Sequence, residues 1–177
     1  MEKVLRTLKE GDYVFVLFGA NDQKSPDPRN VEHYKARLHT LVKDVRARKA
    51  TPVLVTSVER MRGAITPTLG EYPQTARDVA AETGAALIDL NAQSVKMYVA
   101  LGPKLRAAFA DFSHVNGFGG YQLARCAVDG IQANKLDLAK FIVDDHQPFI
   151  PSQPGDPGNF SVPPSPPRAV AAKPAGS

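Results

Sequence analysis

The chain has 177 residues, 43% of them hydrophobic and 23% charged, with a formal net charge of +4, which suits one globular domain with its own core. No run approaches the roughly 18 apolar residues of a membrane span, and Met1-Glu2-Lys3-Val4-Leu5-Arg6 lacks the apolar middle of a signal peptide. The cations Lys43, Arg46, Arg48 and Lys49 crowd the end of one predicted helix, where they complement its dipole. Without interleaved aromatics they make no nucleic-acid stripe. Cys126 is alone among Leu123, Ala124, Ala127 and Val128, which excludes a disulfide framework and a thiolate metal site and reads as buried helix packing.

In chain order, the first element is Tyr13-Val14-Phe15-Val16-Leu17-Phe18, an apolar run closed by Gly19, as in a strand covered on both faces of a parallel sheet. Val31, Tyr34, Leu38, Leu41, Val42 and Val45 recur at helical spacing and predict an amphipathic helix, with His33 and His39 on its wet side. Pro52–Thr56 is the second buried strand, and the long polar loop behind it, residues 59–70, is a candidate site wall. Pro73 suits a first helical turn, Gly84 a C-terminal cap, and Ala86–Leu90 a short strand. Helices are expected from about Ala92 to Leu101 and from about Gly120 to Leu136. Alternating strands and helices imply a three-layer αβα fold with a flavodoxin-like parallel sheet. It occupies residues 1–145, and residues 146–177 are expected to be a disordered Pro-rich tail.

Two short stretches carry the chemistry. Phe18-Gly19-Ala20-Asn21-Asp22 leaves the first strand at its carboxyl end, where parallel α/β sheets bind ligands. Gly19 permits close backbone approach, and an amide of Asn21 can donate to an oxyanion, worth about 3–4 kcal/mol when well placed; the alternative is a plain Asx turn by Asn21 and Asp22. In Asp111-Phe112-Ser113-His114 the carboxylate and the ring are three apart, a spacing that lets Asp111 orient His114 as a general base. The alternative is that Asp111 or Ser113 caps the following helix.

Jointly these stretches resemble the SGNH hydrolases, the GDSL esterase and lipase superfamily, and within it the rhamnogalacturonan acetylesterase-like branch. Leu8-Lys9-Glu10-Gly11-Asp12-Tyr13-Val14-Phe15 with Phe18–Gln23 is similar to that branch's third block, and Asp111–Asn116 to its last block. The resemblance implies a serine esterase with His114 as base and then acid, Asp111 as its orienter and Asn21 as an oxyanion donor. It implies no cofactor and no metal, an acetylated polysaccharide or small ester as substrate, and a secreted or periplasmic location. Gly19, Asp22, Arg60 and Arg62 would bind substrate, the two arginines by pairing with uronate carboxylates of a pectic chain; an exposed, soluble loop is the alternative.

Two departures qualify the match. Ala20 stands where the branch often has His, and the 177 residues contain no Gly-Asp-Ser nucleophile block. The expectation is a chain that lacks the fold's first strand or strands and is inactive alone, leaving an open sheet edge available for self-association. Ser57, Ser25 and Ser113 are poor substitutes, since none precedes a helix on a sharp strand-to-helix turn. A non-catalytic fragment that binds a glycan or protein, or has no function, is the alternative. A phosphate-binding α/β domain is a third and weaker reading, because no Gly-rich loop leads into a helix.

Overall fold

The computed structural model describes residues 2–161. Its centre is β2 (Thr51–Val55), flanked in a parallel sheet of order β1-β2-β3 by β1 (Tyr13–Val16) and β3 (Ala86–Ile88). Tyr13 aligns with Thr51 and Val16 with Leu54, while Val53 aligns with Ala86 and Val55 with Ile88. Successive side chains of β2 point to opposite faces, so the strand feeds two cores. Leu54 joins Val16, Leu38, Val42 and Val79 under α2 (Asn30–Ala47) and α3 (Tyr72–Thr83). Val53 and Val55 join Ile88, Tyr98, Phe118 and Leu123 under α4 (Leu90–Leu101) and α5 (Gly117–Ala133). The three-layer αβα arrangement is as the alternation of elements predicts. A short helix, α1 (Glu2–Thr7), precedes β1.

The basic cluster at the end of α2 works within the fold. Arg46 donates to the carbonyls of Thr83 and Gly84 at 2.8 and 3.1 Å, closing the C-terminus of α3, where Gly84 adopts φ 61°. Arg48 donates to the Leu5 carbonyl, and Lys49 pairs with Glu10.

The two sheet edges differ. The Asn134 side chain behaves like one more residue of ladder for β3, accepting from Leu87 N at 3.2 Å and donating to Leu87 O at 2.8 Å. Among the described residues β1 has a strand neighbour on one side only, and Phe15, Leu17 and Phe18 are 42%, 47% and 50% exposed. The expectation that this run is covered on both faces is therefore corrected. An apolar run shows that a strand has apolar neighbours to meet, not whether they are present within the chain.

The tail also differs from expectation over residues 146–161, which lie back along α5. His146 Nε2 is 2.8 Å from Asp129 Oδ1, and Phe149 is buried with its N–H donating to Asp129 Oδ2 at 2.7 Å. Arg125 stacks over Phe149, and Phe160 meets Phe118 and Tyr121, both with centroids 5.4 Å apart. Two aromatic anchors suffice here because prolines lower the entropy lost on ordering the segment between them. The remaining tail, residues 162–177, lies outside the described residues.

Candidate active site

Three loops meet beyond the carboxyl ends of the strands. The first follows β1, and its carbonyls are gripped one by one. Phe18 O accepts from Tyr34 Oη at 3.0 Å and Ser57 Oγ at 2.9 Å, Ala20 O from Arg60 Nη2 at 2.8 Å, and Asp22 O from Asn30 Nδ2. Burial, with Asp22 and Tyr72 nearby, pushes the Tyr34 phenol up to about 12, so it remains a donor. Gly19 has φ +118°, a conformation that favours glycine, and a Cβ there would sit tightly, 3.2 Å from Tyr34 Oη and 3.3 Å from Tyr72 Cβ. Asp22 Oδ2 turns back to accept from Gly19 N at 3.1 Å, which bends the loop on itself. Lys24 Nζ holds Asn21 Oδ1 at 2.9 Å, leaving Asn21 Nδ2 without a partner among the described residues.

The second loop, residues 59–70, is built around a buried carboxylate. Glu59 is 2% exposed and accepts from Thr68 N at 3.1 Å, Thr68 Oγ1 at 2.5 Å and Arg60 N at 3.2 Å. Its own backbone is fixed by Ser94 Oγ at 3.1 Å and Tyr98 Oη at 3.0 Å. Burial and the neighbouring Glu59 raise the Tyr98 phenol well above its ordinary range, so Tyr98 donates at all ordinary pH. Beneath lies a polar cluster that periodicity gave no hint of. Arg77 forks onto Asp89 at 2.9 and 3.0 Å, Thr56 Oγ1 donates to Asp89 at 2.8 Å, and Asn91 Nδ2 donates to Ser57 O at 3.1 Å. Burial pushes the Asp89 carboxyl up, yet the Arg77 and Thr56 hydrogen bonds outweigh it and the net shift is downward. Asp beside Arg twelve residues earlier is the only trace of this cluster in the sequence.

The third loop is a tight excursion between Phe109 and Val115, which form an antiparallel bridge, with Ala110 N donating to His114 O at 2.8 Å. At its tip Asp111 Oδ2 meets His114 Nδ1 at 2.7 Å, while Oδ1 accepts from the N–H groups of Ser113 and His114 at 2.6 and 2.7 Å. His114 Nε2 has no partner among the described residues, and the side chain is 79% exposed. The capping alternative is corrected: α5 starts at Gly117, and its cap is Asn116, whose Oδ1 accepts from Gly119 N at 3.2 Å.

The bond to His114, then the N–H groups of Ser113 and His114, hold the Asp111 carboxyl at about 2, against an ordinary 3.8. A folded value below the unfolded one means the folded chain releases this proton more readily. The stabilisation is therefore present above about pH 3.8 and is lost as pH falls toward about 2. Carbon-detected titration of the Asp111 carboxyl should show its midpoint near 2; a midpoint at the ordinary value would mean that the pair does not form in solution.

The structure brings the first and third loops to consecutive residues of the second, since Arg60 holds Ala20 O and Met61 N donates to Phe112 O at 3.2 Å. The Arg60 fork, expected to meet a substrate carboxylate, is engaged within the chain, with Nη1 donating to Thr68 O at 3.0 Å and Nη2 to Ala20 O at 2.8 Å. The partners are forty and eight residues away, which no local pattern reports. Arg62 is exposed. Ser57 is buried and donates to Phe18 O, Ser25 accepts from Asp27 N at 3.3 Å, and neither is hydrogen-bonded to His114.

A parallel αβα sheet with an Asp–His pair on the loop that enters its last long helix is consistent with the SGNH hydrolase fold. The chain belongs to the GDSL-like Lipase/Acylhydrolase family, whose model matches residues 2–123. It is 29% identical over 163 residues to the rhamnogalacturonan acetylesterase RhgT of Bacillus subtilis, covering 81% of this chain and 70% of that protein. The probable rhamnogalacturonan acetylesterase YesY of the same organism is 24% identical over 159 residues, covering 82% and 73%. Among solved structures, the Bacillus subtilis protein YxiM superposes with a TM-score of 0.67 at 26% identity, covering 77% of this chain and 41% of that one. The acetylxylan esterase Axe2 of Geobacillus stearothermophilus shares the fold with a TM-score of 0.60 at 23% identity, covering 73% and 63%. The chain thus spans less than two thirds of either structure.

Proposed function

We propose that this chain carries the Asp–His and oxyanion parts of a serine esterase that removes acetyl groups from a carbohydrate, with a pectic polysaccharide as the favoured substrate. The observation behind this reading is the His114 ring, bonded through Nδ1 to Asp111 with Nε2 unengaged, on a loop tied to the one that bears Asn21. In this mechanism His114 Nε2 takes the proton of a serine hydroxyl as its oxygen attacks the acetyl carbonyl, and Asn21 Nδ2 donates to the oxyanion. The sugar oxygen leaves with that proton, and His114 then activates water to release acetate and regenerate the serine. Asp111 keeps the ring in one tautomer and steadies its charge.

The nucleophile in this reading comes from polypeptide outside the 177 residues, and the chain alone is inactive. The pectic assignment is supported by RhgT and YesY, both named for rhamnogalacturonan. Arg62, exposed on the same loop as Arg60, offers a cation for a uronate carboxylate. The test is acetate release from acetylated rhamnogalacturonan by the chain alone and by a form extended with its in-frame upstream coding sequence. Only the extended form should act, and its Arg62→Ala variant should show a higher KM for the pectic substrate but not for p-nitrophenyl acetate. An extended form that contains a Gly-Asp-Ser turn yet releases nothing would overturn the reading.

The exposed β1 edge supports self-association of the chain as given. Sedimentation at increasing concentration should show a dimer; a monomer throughout would remove this part of the reading.

A further inference from the structure

The loops that carry Asn21 and His114 are far apart in the sequence, and one dipeptide ties them together. The Arg60 guanidinium fork holds Ala20 O at 2.8 Å and Thr68 O at 3.0 Å, and the next residue, Met61, donates its N–H to Phe112 O at 3.2 Å. In the amide orientation that satisfies both groups, the Gln23 oxygen lies 2.9 and 3.1 Å from the two Nη atoms, so the fork touches the first loop on both sides of Asn21. Arg60 is itself anchored, since its N–H reaches the buried Glu59 carboxylate at 3.2 Å. A planar fork with fixed donor directions sets the relative placement of two carbonyls, which a single ammonium on a flexible stem does not.

We propose that Arg60 is a positioning residue that couples the Asn21 loop to the Asp111–His114 loop, so that oxyanion donor and general base keep one relative placement. The proposal deepens the esterase reading and rests on it for its catalytic meaning. Ala20 O belongs to the peptide that leads into Asn21, and Phe112 stands between Asp111 and Ser113, so a shift at the dipeptide reaches both groups. Displacements of about 1 Å at a reacting centre cost on the order of 10²-fold in rate.

Hydrogen–deuterium exchange on the 177-residue chain tests the coupling without any need for activity. In Arg60→Ala, exchange should rise at least about tenfold in residues 17–24 and 109–116 as well as in 59–70, while β2 and α3 keep their protection. Arg60→Lys, the milder variant should the alanine chain not fold, should restore protection of residues 59–70 but only part of it in the other two segments. Acceleration confined to residues 59–70 in both variants would overturn the proposal. In a nucleophile-bearing form, Arg60→Lys should lower kcat with KM unchanged; a changed KM with unchanged kcat would return Arg60 to substrate binding and also overturn it. Failure of the exchange arm counts against the coupling alone, whereas absence of hydrolysis by every nucleophile-bearing form counts against the esterase reading alone.

Discussion

Gly63→Ala should lower the unfolding free energy of the chain by about 3–5 kcal/mol, read from denaturant midpoints at constant slope. A Cβ at this position would lie 2.4 Å from Glu59 Oε2 and 2.7 Å from Glu59 Cβ and Cδ. Glu59 has no room to yield, because its carboxylate is buried and holds Thr68 and Arg60, and its backbone is held by Ser94 and Tyr98. The alanine chain must either strain these contacts or break hydrogen bonds to a buried charge, and both are costly. Gly120→Ala is the control: nothing lies within 4 Å of a Cβ there, and in α5 alanine should stabilise by about 0.5–1 kcal/mol. Equal midpoints for the Gly63→Ala chain and the parent would show that Glu59 is not fixed as described.

In a nucleophile-bearing form, His114→Ala should reduce kcat by at least about 10³-fold, and Asp111→Asn by about 10²–10⁴-fold, each with little change in KM. The asparagine variant keeps the volume of the side chain but presents an N–H or a neutral carbonyl to Nδ1, so the ring loses its fixed tautomer. The double variant should be scarcely worse than His114→Ala, since groups acting as a unit are not additive. Additive losses would assign Asp111 a role apart from the ring. Because the pair is largely exposed, neither change should move stability much at neutral pH, which separates the kinetic loss from unfolding.

Much of the fold was legible because its elements announce themselves locally. The apolar stripe of α2, the β-branched run of β2 and the Gly84 cap each have a short-range signature, and each stands where it was expected. The spacing of Asp111 and His114 was equally readable, since three residues around one turn suffice to make the pair. The rest depends on distant partners. Arg60 reads as a free loop cation until Ala20 and Thr68 are seen to hold it, and Phe149 and Phe160 read as stray aromatics in a Pro-rich tail until α5 is seen to receive them. Asn116 rather than Asp111 or Ser113 caps α5, because the carboxylate is already committed to the ring and the amides beside it.

Asn134 on β3 has a consequence for how large any assembly of this chain can become. Two copies joined through β1 about a twofold axis would make one continuous sheet whose outer margins are both β3, each occupied by an asparagine amide. Growth then has nowhere to continue, so pairing by this route terminates at two and gives a closed particle instead of a fibre.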